Sequence, residues 1–190
     1  KIKSLSYGHS GIHIDTVKRL MEMHNHDVLP VVYTQGSLGA SGDLAPLSHL
    51  SLPLLGLGEV NYAGKKMPAA DALHSFGWLP LQLKSKEGLA LINGTQFMSA
   101  YGLHSLVQAD RLLKWADLIA AIAYDAFDCV AEPLHEKIHS IRPHKGQVDT
   151  AAQLRKHMAG SQISDKVKEQ VTDPYSFRSI PQVHAASTDV

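Results

Sequence analysis

The segment between residues 96 and 130 constrains the fold more than any other part of the sequence, because it contains no proline and only one glycine. Small and apolar residues recur along it at alternating spacings of three and four, the pattern of a helix in a bundle: Gly102, Leu106, Ala109, Leu113, Ala116, Ala120, Ala123, Phe127 and Val130. A second apolar stripe lies beside the first: Leu112, Trp115, Ile119, Ile122, Ala126 and Cys129. Because two adjacent stripes need several neighbours, we predict a long core helix over about residues 96–130, in a large and oligomeric helical bundle.

The rest of the sequence predicts a mainly helical chain of the all-α class with one small β-hairpin near residues 59–67, where the pattern alternates around Ala63-Gly64. Capping residues and apolar spacing predict the other helices. These cover about residues 11–23 after Ser10, 44–55 after Asp43, 69–76, 84–92, 146–159 and 164–171. The region 174–181, which has a proline at each end, is predicted to be a loop.

Composition restricts the partners and the compartment. Lysine plus arginine and aspartate plus glutamate each total 18, so the formal net charge is zero and no nucleic-acid partner is expected. No apolar run approaches the ~18 residues of a membrane span, so no membrane partner is expected either. Charged residues make up only 19 % of the chain, which favours buried subunit contacts. The single cysteine, Cys129, forbids an internal disulfide and favours a reducing, cytoplasmic compartment.

The chain contains 12 histidines, and residues 135–139 satisfy the H-E-x-x-H pattern of zinc-binding helices. Three features argue against a metal site at this position. Lys137 places a cation inside the motif, Pro133 and Pro143 leave little room for a helix, and no third ligand follows at a convincing spacing. We therefore predict that residues 135–139 are a histidine-rich surface segment and that the protein needs no metal.

Three glycines, Gly36, Gly39 and Gly42, follow a short extended run and precede a helix. A dinucleotide-binding turn needs that context, although the spacing here is GxxGxxG rather than GxGxxG. A P-loop is excluded because no Lys-Ser/Thr pair follows the last glycine. The glycines alone leave two alternatives open, a nucleotide-binding helical module and a helix-entry loop without chemistry.

Residues 36–47, Gly-Ser-Leu-Gly-Ala-Ser-Gly-Asp-Leu-Ala-Pro-Leu, resemble the signature of the aromatic amino acid ammonia-lyase family. Residues 86–96, 173–178 and 181–184 resemble later blocks of that family in the same order, and the similarity covers essentially the whole chain. Asn-Gly-Thr-Gln at 93–96 and Arg-Pro-His at 142–144 look most like the histidine branch. The resemblance implies that the chain is one fragment, residues 1–190, of the family's central domain, with the tripeptide loop at 36–43.

In this family an Ala-Ser-Gly tripeptide cyclises to the electrophile 4-methylideneimidazol-5-one (MIO), so the resemblance assigns MIO formation to Ala40, Ser41 and Gly42. The Gly42 nitrogen must attack the Ala40 carbonyl carbon, and the missing Cβ permits that approach. Ser41 carries the hydroxyl whose elimination leaves the methylidene. The next residue, Asp43, is expected to assist the proton transfers or to cap the following helix.

The implied reaction is elimination of ammonia from L-histidine to give trans-urocanate. Arg178 presents a planar fork suited to the substrate carboxylate. Asn93 is expected to donate to the MIO oxygen, and Tyr175 to lie near the electrophile. Thr172 stands where the histidine branch usually has glutamine, which leaves a tyrosine or phenylalanine lyase, or an aminomutase, as alternatives.

Family members are homotetramers whose active sites draw on several subunits, and their chains are much longer than 190 residues. Because the chain starts at Lys1 and stops at Val190, both ends look like cuts in a longer protein. The resemblance implies that the segments outside this chain supply the tyrosine base and further pocket residues. We therefore expect this segment to be catalytically incompetent by itself.

Overall fold

The structure is a computed structural model that describes residues 1–36 and 42–190, and it is mainly helical, which confirms the predicted fold class. Its residues form two compact units, Lys1–Leu103 and His104–Val190. No helix in the described part of the chain is both long and apolar enough to cross a membrane.

The first unit contains short helices and a small sheet. The helices are α1 (Ile2–Ser6), α2 (Ile14–Asn25), α3 (Leu44–Ser51), a 3₁₀-helix (Leu52–Leu55), α4 (Ala69–Ser75) and α5 (Glu87–Ile92). The strands are β1 (Leu29–Pro30), β2 (Glu59–Tyr62) and β3 (Lys65–Pro68). One apolar core joins α1, α2, α4, α5 and the sheet, and its most buried members include Leu5, Val17, Met23, Val28, Leu54, Val60 and Leu91.

The predicted hairpin is confirmed, and local backbone geometry explains why it was visible in the sequence. Ala63 and Gly64 have φ values of 48° and 74°. A two-residue type I′ turn needs positive φ at both central positions, which glycine adopts freely. Strand β1 pairs antiparallel with β2 along the opposite edge. The strand before the glycine loop is therefore not part of a parallel βαβ unit, and the nucleotide-binding alternative lacks the context that it needs.

Helix α2 begins at Ile14, so the prediction that Ser10 caps it is wrong. Gly11 has φ of 66°, a left-handed conformation that keeps the preceding residues out of the helix. The capping residue is His13, whose Nδ1 accepts a hydrogen bond from the Asp15 backbone N–H. Sequence reasoning missed this cap because histidine is not one of the usual N-cap residues.

The Glu87 carboxylate joins the start of α2 to the start of α5. It is buried, and its two oxygens accept hydrogen bonds from the backbone N–H groups of His13 (2.9 Å) and Lys84 (2.7 Å) and from the Thr16 hydroxyl (2.9 Å). Burial by itself raises the pKa of Glu87, but the hydrogen bonds to the charged form outweigh it, so the pKa lies below its usual value.

The second unit contains helices joined by turns and loops, with no strand among its described residues. The long helix α6 (Gln96–Ala126) begins in the first unit and ends in the second. It is followed by a 3₁₀-helix (Glu132–Leu134), α7 (Glu136–Ser140), α8 (Lys145–Met158), α9 (Tyr175–Arg178) and α10 (Ile180–Thr188). The core of this unit consists of Ala120, Ala121, Tyr124, Cys129, Leu134, Leu154, Met158 and Ile180.

Helix α6 confirms the long-helix prediction but is shorter than expected. It ends at Ala126 rather than near Val130, and Asp128 follows with φ of 60°, a conformation that a helix cannot contain. Most of the predicted apolar positions are exposed in this chain, including Leu106, Leu112, Trp115, Ile119, Ile122 and Phe127. Only Ala120, Ala121 and Tyr124 of the helix are buried.

Two short predictions in the second unit are wrong. Residues 164–171 form turns rather than a helix, and the apolar Val167 and Val171 are fully exposed, so no helical face is buried there. The predicted loop at 174–181 instead contains α9 and the start of α10. In each of these helices a proline lies at or just before the first turn. The backbone N–H groups there have no partner within the helix, so the N–H that proline lacks is not needed.

Structural hydrogen bonds engage both histidines of the H-E-x-x-H match. His135 is the N-cap of α7, and its Nδ1 accepts from the Lys137 N–H. Residues 135–138 are exposed, as predicted for a surface segment, but that prediction is wrong for His139, which is buried. Its Nε2 donates to the Pro133 carbonyl (3.1 Å) and its Nδ1 accepts from the Gln147 amide (3.0 Å). Burial lowers the pKa of His139, which favours this neutral form. No group of three or more potential ligands in residues 1–36 and 42–190 is arranged to hold a metal.

The replacement Glu87→Gln is expected to lower the free energy of unfolding by about 1–3 kcal/mol, because an amide N–H₂ would face a buried backbone donor. The measurement is urea unfolding of the chain at pH 7. Glu22→Gln is the matched control, since Glu22 lies in an exposed ion pair with Arg19 and such pairs contribute little.

The same variant has a defined pH dependence. The folded-state pKa of Glu87 lies below the unfolded value of about 4.3, so its contribution is complete above that pH and is lost as the pH falls through the folded pKa. The difference between wild type and Glu87→Gln should therefore shrink in acid. Equal stability of the two proteins at pH 7 would contradict the assignment.

Candidate active site

Two glycines bring the segment after residue 41 against the end of α5. Gly42 has φ of +93°, and a Cβ at this position would lie 2.8 Å from the Gly94 carbonyl oxygen. The Asp43 N–H donates to the same oxygen at 3.0 Å. Only glycine fits position 42, which agrees with a tripeptide whose third residue must offer an unhindered amide. Ala40 and Ser41, the other two predicted members, lie outside the described residues.

Asp43 binds a helix other than the one it was predicted to cap. It precedes α3, but no side-chain capping bond is made there. Its Oδ2 instead accepts from the Met98 N–H at 2.9 Å, in the first turn of α6, where backbone donors have no partner within the helix. The side chain is buried. Asp43 therefore fixes the residues after the tripeptide to the start of the long helix.

Asn93 ends α5 beside this contact. Its backbone carbonyl accepts from the Lys1 Nζ at 2.6 Å, while its exposed side-chain amide makes no hydrogen bond within the described residues. The next residue, Gly94, has φ of +142°, and a Cβ at this position would lie 2.4 Å from the Gln96 side-chain oxygen. The Gln96 Oε1 is buried and finds no donor within residues 1–36 and 42–190. The segment thus presents one free amide and one unsatisfied buried acceptor.

In the second unit, a buried aspartate fixes the predicted third block. The Asp173 Oδ2 accepts from the Val130 N–H at 2.7 Å, and the Tyr124 hydroxyl donates to the Val130 carbonyl at 2.8 Å. Tyr124 is fully buried, and burial raises the pKa of its hydroxyl. Both polar groups of Val130 are thus held by buried side chains, which fixes the residues on either side of Asp173.

Helix α9 is packed on the end of α6 by aromatic rings. Phe177 stacks on Phe127 with the ring centroids 4.4 Å apart and meets Tyr124 edge-on at 6.4 Å. Such pairs are worth about 0.5–1.5 kcal/mol beyond the area that they bury. This packing turns the other side of the four-residue helix, with Tyr175 and Arg178, toward solvent.

The structure brings Thr172, Tyr175 and Arg178 together. The Arg178 Nη1 donates to the Thr172 hydroxyl at 2.7 Å, and its Cζ lies 4.5 Å from the centroid of the Tyr175 ring. Tyr175 is 73 % exposed, so it is not a core tyrosine, and its hydroxyl makes no hydrogen bond with the described residues. No carboxylate in the described part of the chain pairs with Arg178, whose charge is therefore available to an anionic ligand.

A cleft of about 1210 Å³ in the second unit makes this arginine accessible. Thr172, Arg178 and Gln182 line it together with Val130–Pro133 and residues of the 164–171 turn segment. The turn segment is attached to the residues after α6, because the Gln170 amide donates to the Asp128 carbonyl at 2.7 Å and Lys168 forms an ion pair with the Asp128 carboxylate. A small anionic molecule can reach the guanidinium from the cleft.

Sequence reasoning missed Asp173 and Gln96. Asp173 belongs to a quoted motif, but its partner Val130 is 43 positions away, so no local pattern shows the contact. Gln96 follows the glycine that its side chain covers. In the sequence, both residues were indicated by their positions inside the two segments, 86–96 and 173–178, that resemble the family.

Comparison with known proteins assigns the family. The aromatic amino acid lyase family matches residues 1–190. Histidine ammonia-lyase from Deinococcus radiodurans is 47 % identical over the whole chain, which spans 37 % of that relative's length.

Two solved structures are similar over 99 % of the chain. Histidine ammonia-lyase from Trypanosoma cruzi has 39 % identity and a TM-score of 0.81, with 34 % of its own length covered. Tyrosine aminomutase from Streptomyces globisporus has 34 % identity and a TM-score of 0.84, with 39 % covered. The chain belongs to the aromatic amino acid lyase family.

Proposed function

We propose that the chain carries part of the active site of an ammonia-lyase that converts L-histidine into trans-urocanate and ammonia. The observation that carries the proposal is the close approach of Gly42 to Gly94. Gly42 follows Ala40 and Ser41 in the sequence, and it carries the unhindered amide nitrogen that cyclisation of an Ala-Ser-Gly tripeptide requires. Membership of the family supports the same chemistry.

Cyclisation begins when the Gly42 nitrogen attacks the Ala40 carbonyl carbon. The carbonyl oxygen then leaves as water with the hydrogens of the Gly42 and Ser41 amide nitrogens. Elimination of the Ser41 hydroxyl together with the Ser41 α-hydrogen releases a second water. Asp43 assists the proton transfers, being the nearest carboxylate in sequence. The MIO group that Ala40, Ser41 and Gly42 would form would supply the electrophile for the loss of ammonia from the substrate.

The side chains of this chain bind and orient the substrate. Arg178 receives the substrate carboxylate through paired N–H donors, a charge-assisted contact worth about 1.5–3 kcal/mol. Tyr175 lies beside that guanidinium, where its free hydroxyl orients the substrate or passes a proton. The free Asn93 amide donates to the negative charge that develops in the reaction, as oxyanion-hole donors do.

Histidine is the substrate that the comparisons favour, since the curated relative with 47 % identity is a histidine ammonia-lyase. The similarity to tyrosine aminomutase, at 34 % identity, keeps tyrosine and phenylalanine chemistry as the second candidate. Thr172 favours that alternative, because it stands where the histidine branch usually has glutamine.

The exposed apolar stripes of α6 support assembly into a homotetramer with shared active sites. Leu112, Trp115, Ile119 and Ile122 are each more than half exposed, and contiguous apolar patches of this kind mark protein interfaces. The chain spans 37 % of the curated relative, so we propose that this segment alone is catalytically inactive.

A reducing, cytoplasmic location remains our prediction from the lone Cys129. Burial raises the pKa of its thiol to about 12.

The reaction is tested by giving the full-length protein L-histidine, L-tyrosine and L-phenylalanine separately. We expect urocanate from L-histidine and little product from the other two amino acids. Ser41→Ala should abolish both the activity and the loss of two waters in the intact mass, whereas Ser48→Ala in α3 should change neither. Full activity at an unmodified mass would contradict the mechanism, and product from the 190-residue chain alone would contradict its inactivity.

Gly94→Ala should slow MIO formation, because φ of +142° is strained for any residue with a Cβ, and relief of that strain displaces the carbonyl that packs on Gly42. The measurement is the fraction of protein whose intact mass lacks two waters at a fixed early time, because about 1.4 kcal/mol added to the barrier slows the reaction about tenfold. Gly88→Ala is the matched control, since nothing lies within 4 Å of its Cβ position. Complete modification of the Gly94→Ala variant would refute the role of this contact.

Ile122→Glu should shift the full-length protein from tetramer toward smaller species, because a charge replaces an apolar side chain that is 61 % exposed on α6. Light scattering coupled to size-exclusion chromatography measures the mass in solution. Lys114→Glu is the control on the same helix, where the side chain is charged already. An unchanged tetramer in the Ile122→Glu variant would exclude this face from the interface.

A further inference from the structure

The position of Arg178 in this chain depends on a hydroxyl group. Its Nη1 donates to the Thr172 Oγ1 at 2.7 Å, and its Cζ lies 4.5 Å from the centroid of the Tyr175 ring. Neither contact neutralises the guanidinium, because a hydroxyl and an aromatic ring carry no net charge. The two contacts therefore restrain the arginine while leaving its positive charge for another group.

The hydroxyl contact also determines which donors of the arginine stay available. A guanidinium has five N–H donors in a fixed plane, and a carboxylate binds two parallel donors at once. Thr172 takes one of the two N–H donors of Nη1, and the edge formed by Nε and Nη2 has no partner within residues 1–36 and 42–190. That edge is a bidentate site for one carboxylate.

The backbone that carries Thr172 is fixed as well. The next residue, Asp173, is buried and accepts the Val130 N–H at 2.7 Å. Because the threonine side chain has only one rotatable bond, its hydroxyl position follows closely from the backbone. The buried Asp173 contact therefore restrains the position of the Thr172 hydroxyl, and that hydroxyl restrains the half-exposed Arg178 side chain.

We propose that Thr172 is a positioning residue for Arg178 that sets the affinity of the site for the carboxylate of an α-amino acid substrate. The inference rests on the proposed function, in which Arg178 binds that carboxylate. Thr172 acts through Arg178 rather than on the substrate itself. Its hydroxyl therefore contributes to the binding of ligands that carry a carboxylate and not to the binding of ligands that lack one.

The experiment uses the full-length protein and the variants Thr172→Val, which keeps the shape of the side chain and removes the hydroxyl, and Thr172→Ser, which keeps the hydroxyl. Thr188→Val at the end of α10 is the matched control. The readouts are kcat and KM for L-histidine and the inhibition constants of two ligands. Urocanate carries a carboxylate, and histamine is the histidine analogue without one.

We expect Thr172→Val to raise KM about three- to tenfold while kcat changes less than about twofold, because a contact made equally in the ground and transition states affects KM. The inhibition constant of urocanate should rise in parallel, and that of histamine should stay constant. Thr172→Ser and Thr188→Val should behave like wild type. In an Arg178→Met background, Thr172→Val should add no further effect, because its target is gone.

The possible failures are distinguishable. No product from any amino acid with the wild-type protein overturns the proposed function together with this inference. Product from the wild type and an unchanged KM in Thr172→Val overturns the inference alone. An equal loss of affinity for histamine and urocanate also overturns it, because the threonine would then act on the whole site rather than on Arg178.

Discussion

Two buried aspartates that bind backbone N–H groups hold the candidate site residues in place. Asp43 receives the Met98 amide in the first turn of α6, and Asp173 receives the Val130 amide just after that helix ends. A buried carboxylate without a partner costs far more than these bonds return, so each aspartate strongly favours the one loop conformation that satisfies it. Asp43 thereby restrains the neighbouring Gly42, and Asp173 restrains Tyr175 and Arg178, which follow it in the sequence.

The sequence predicted those parts of the fold that local chemistry determines. The long helix follows from 31 residues without proline, and the hairpin from a turn whose backbone angles suit Ala63-Gly64. The failures occur where distant residues decide. Residues 164–171 have the apolar spacing of a helix, but no neighbouring element covers their apolar side chains. Asp43 precedes α3, but its carboxylate instead accepts a backbone N–H in the first turn of α6.

The candidate site shows the same division. The family resemblance selected the residues, since motif identity lies in the sequence itself. The contacts that give those residues their properties join distant positions, as between Asp173 and Val130, or depend on side-chain geometry, as between Thr172 and Arg178. Three histidines have structural contacts that no local pattern showed: His13 and His135 are helix caps, and His139 is buried against Pro133 and Gln147.

The exposed stripes of α6 also affect how the protein is made and handled. In the tetramer that we propose, a newly synthesised chain carries an open apolar face until its partners cover it, and in that interval association with other unfolded chains competes with correct assembly. Once assembled, its folded state is stabilised by its own concentration, as for any protein whose subunits bind one another in the folded form. Dilution of the proposed tetramer therefore lowers the stability of the folded chain, because it removes the partners that cover the long helix.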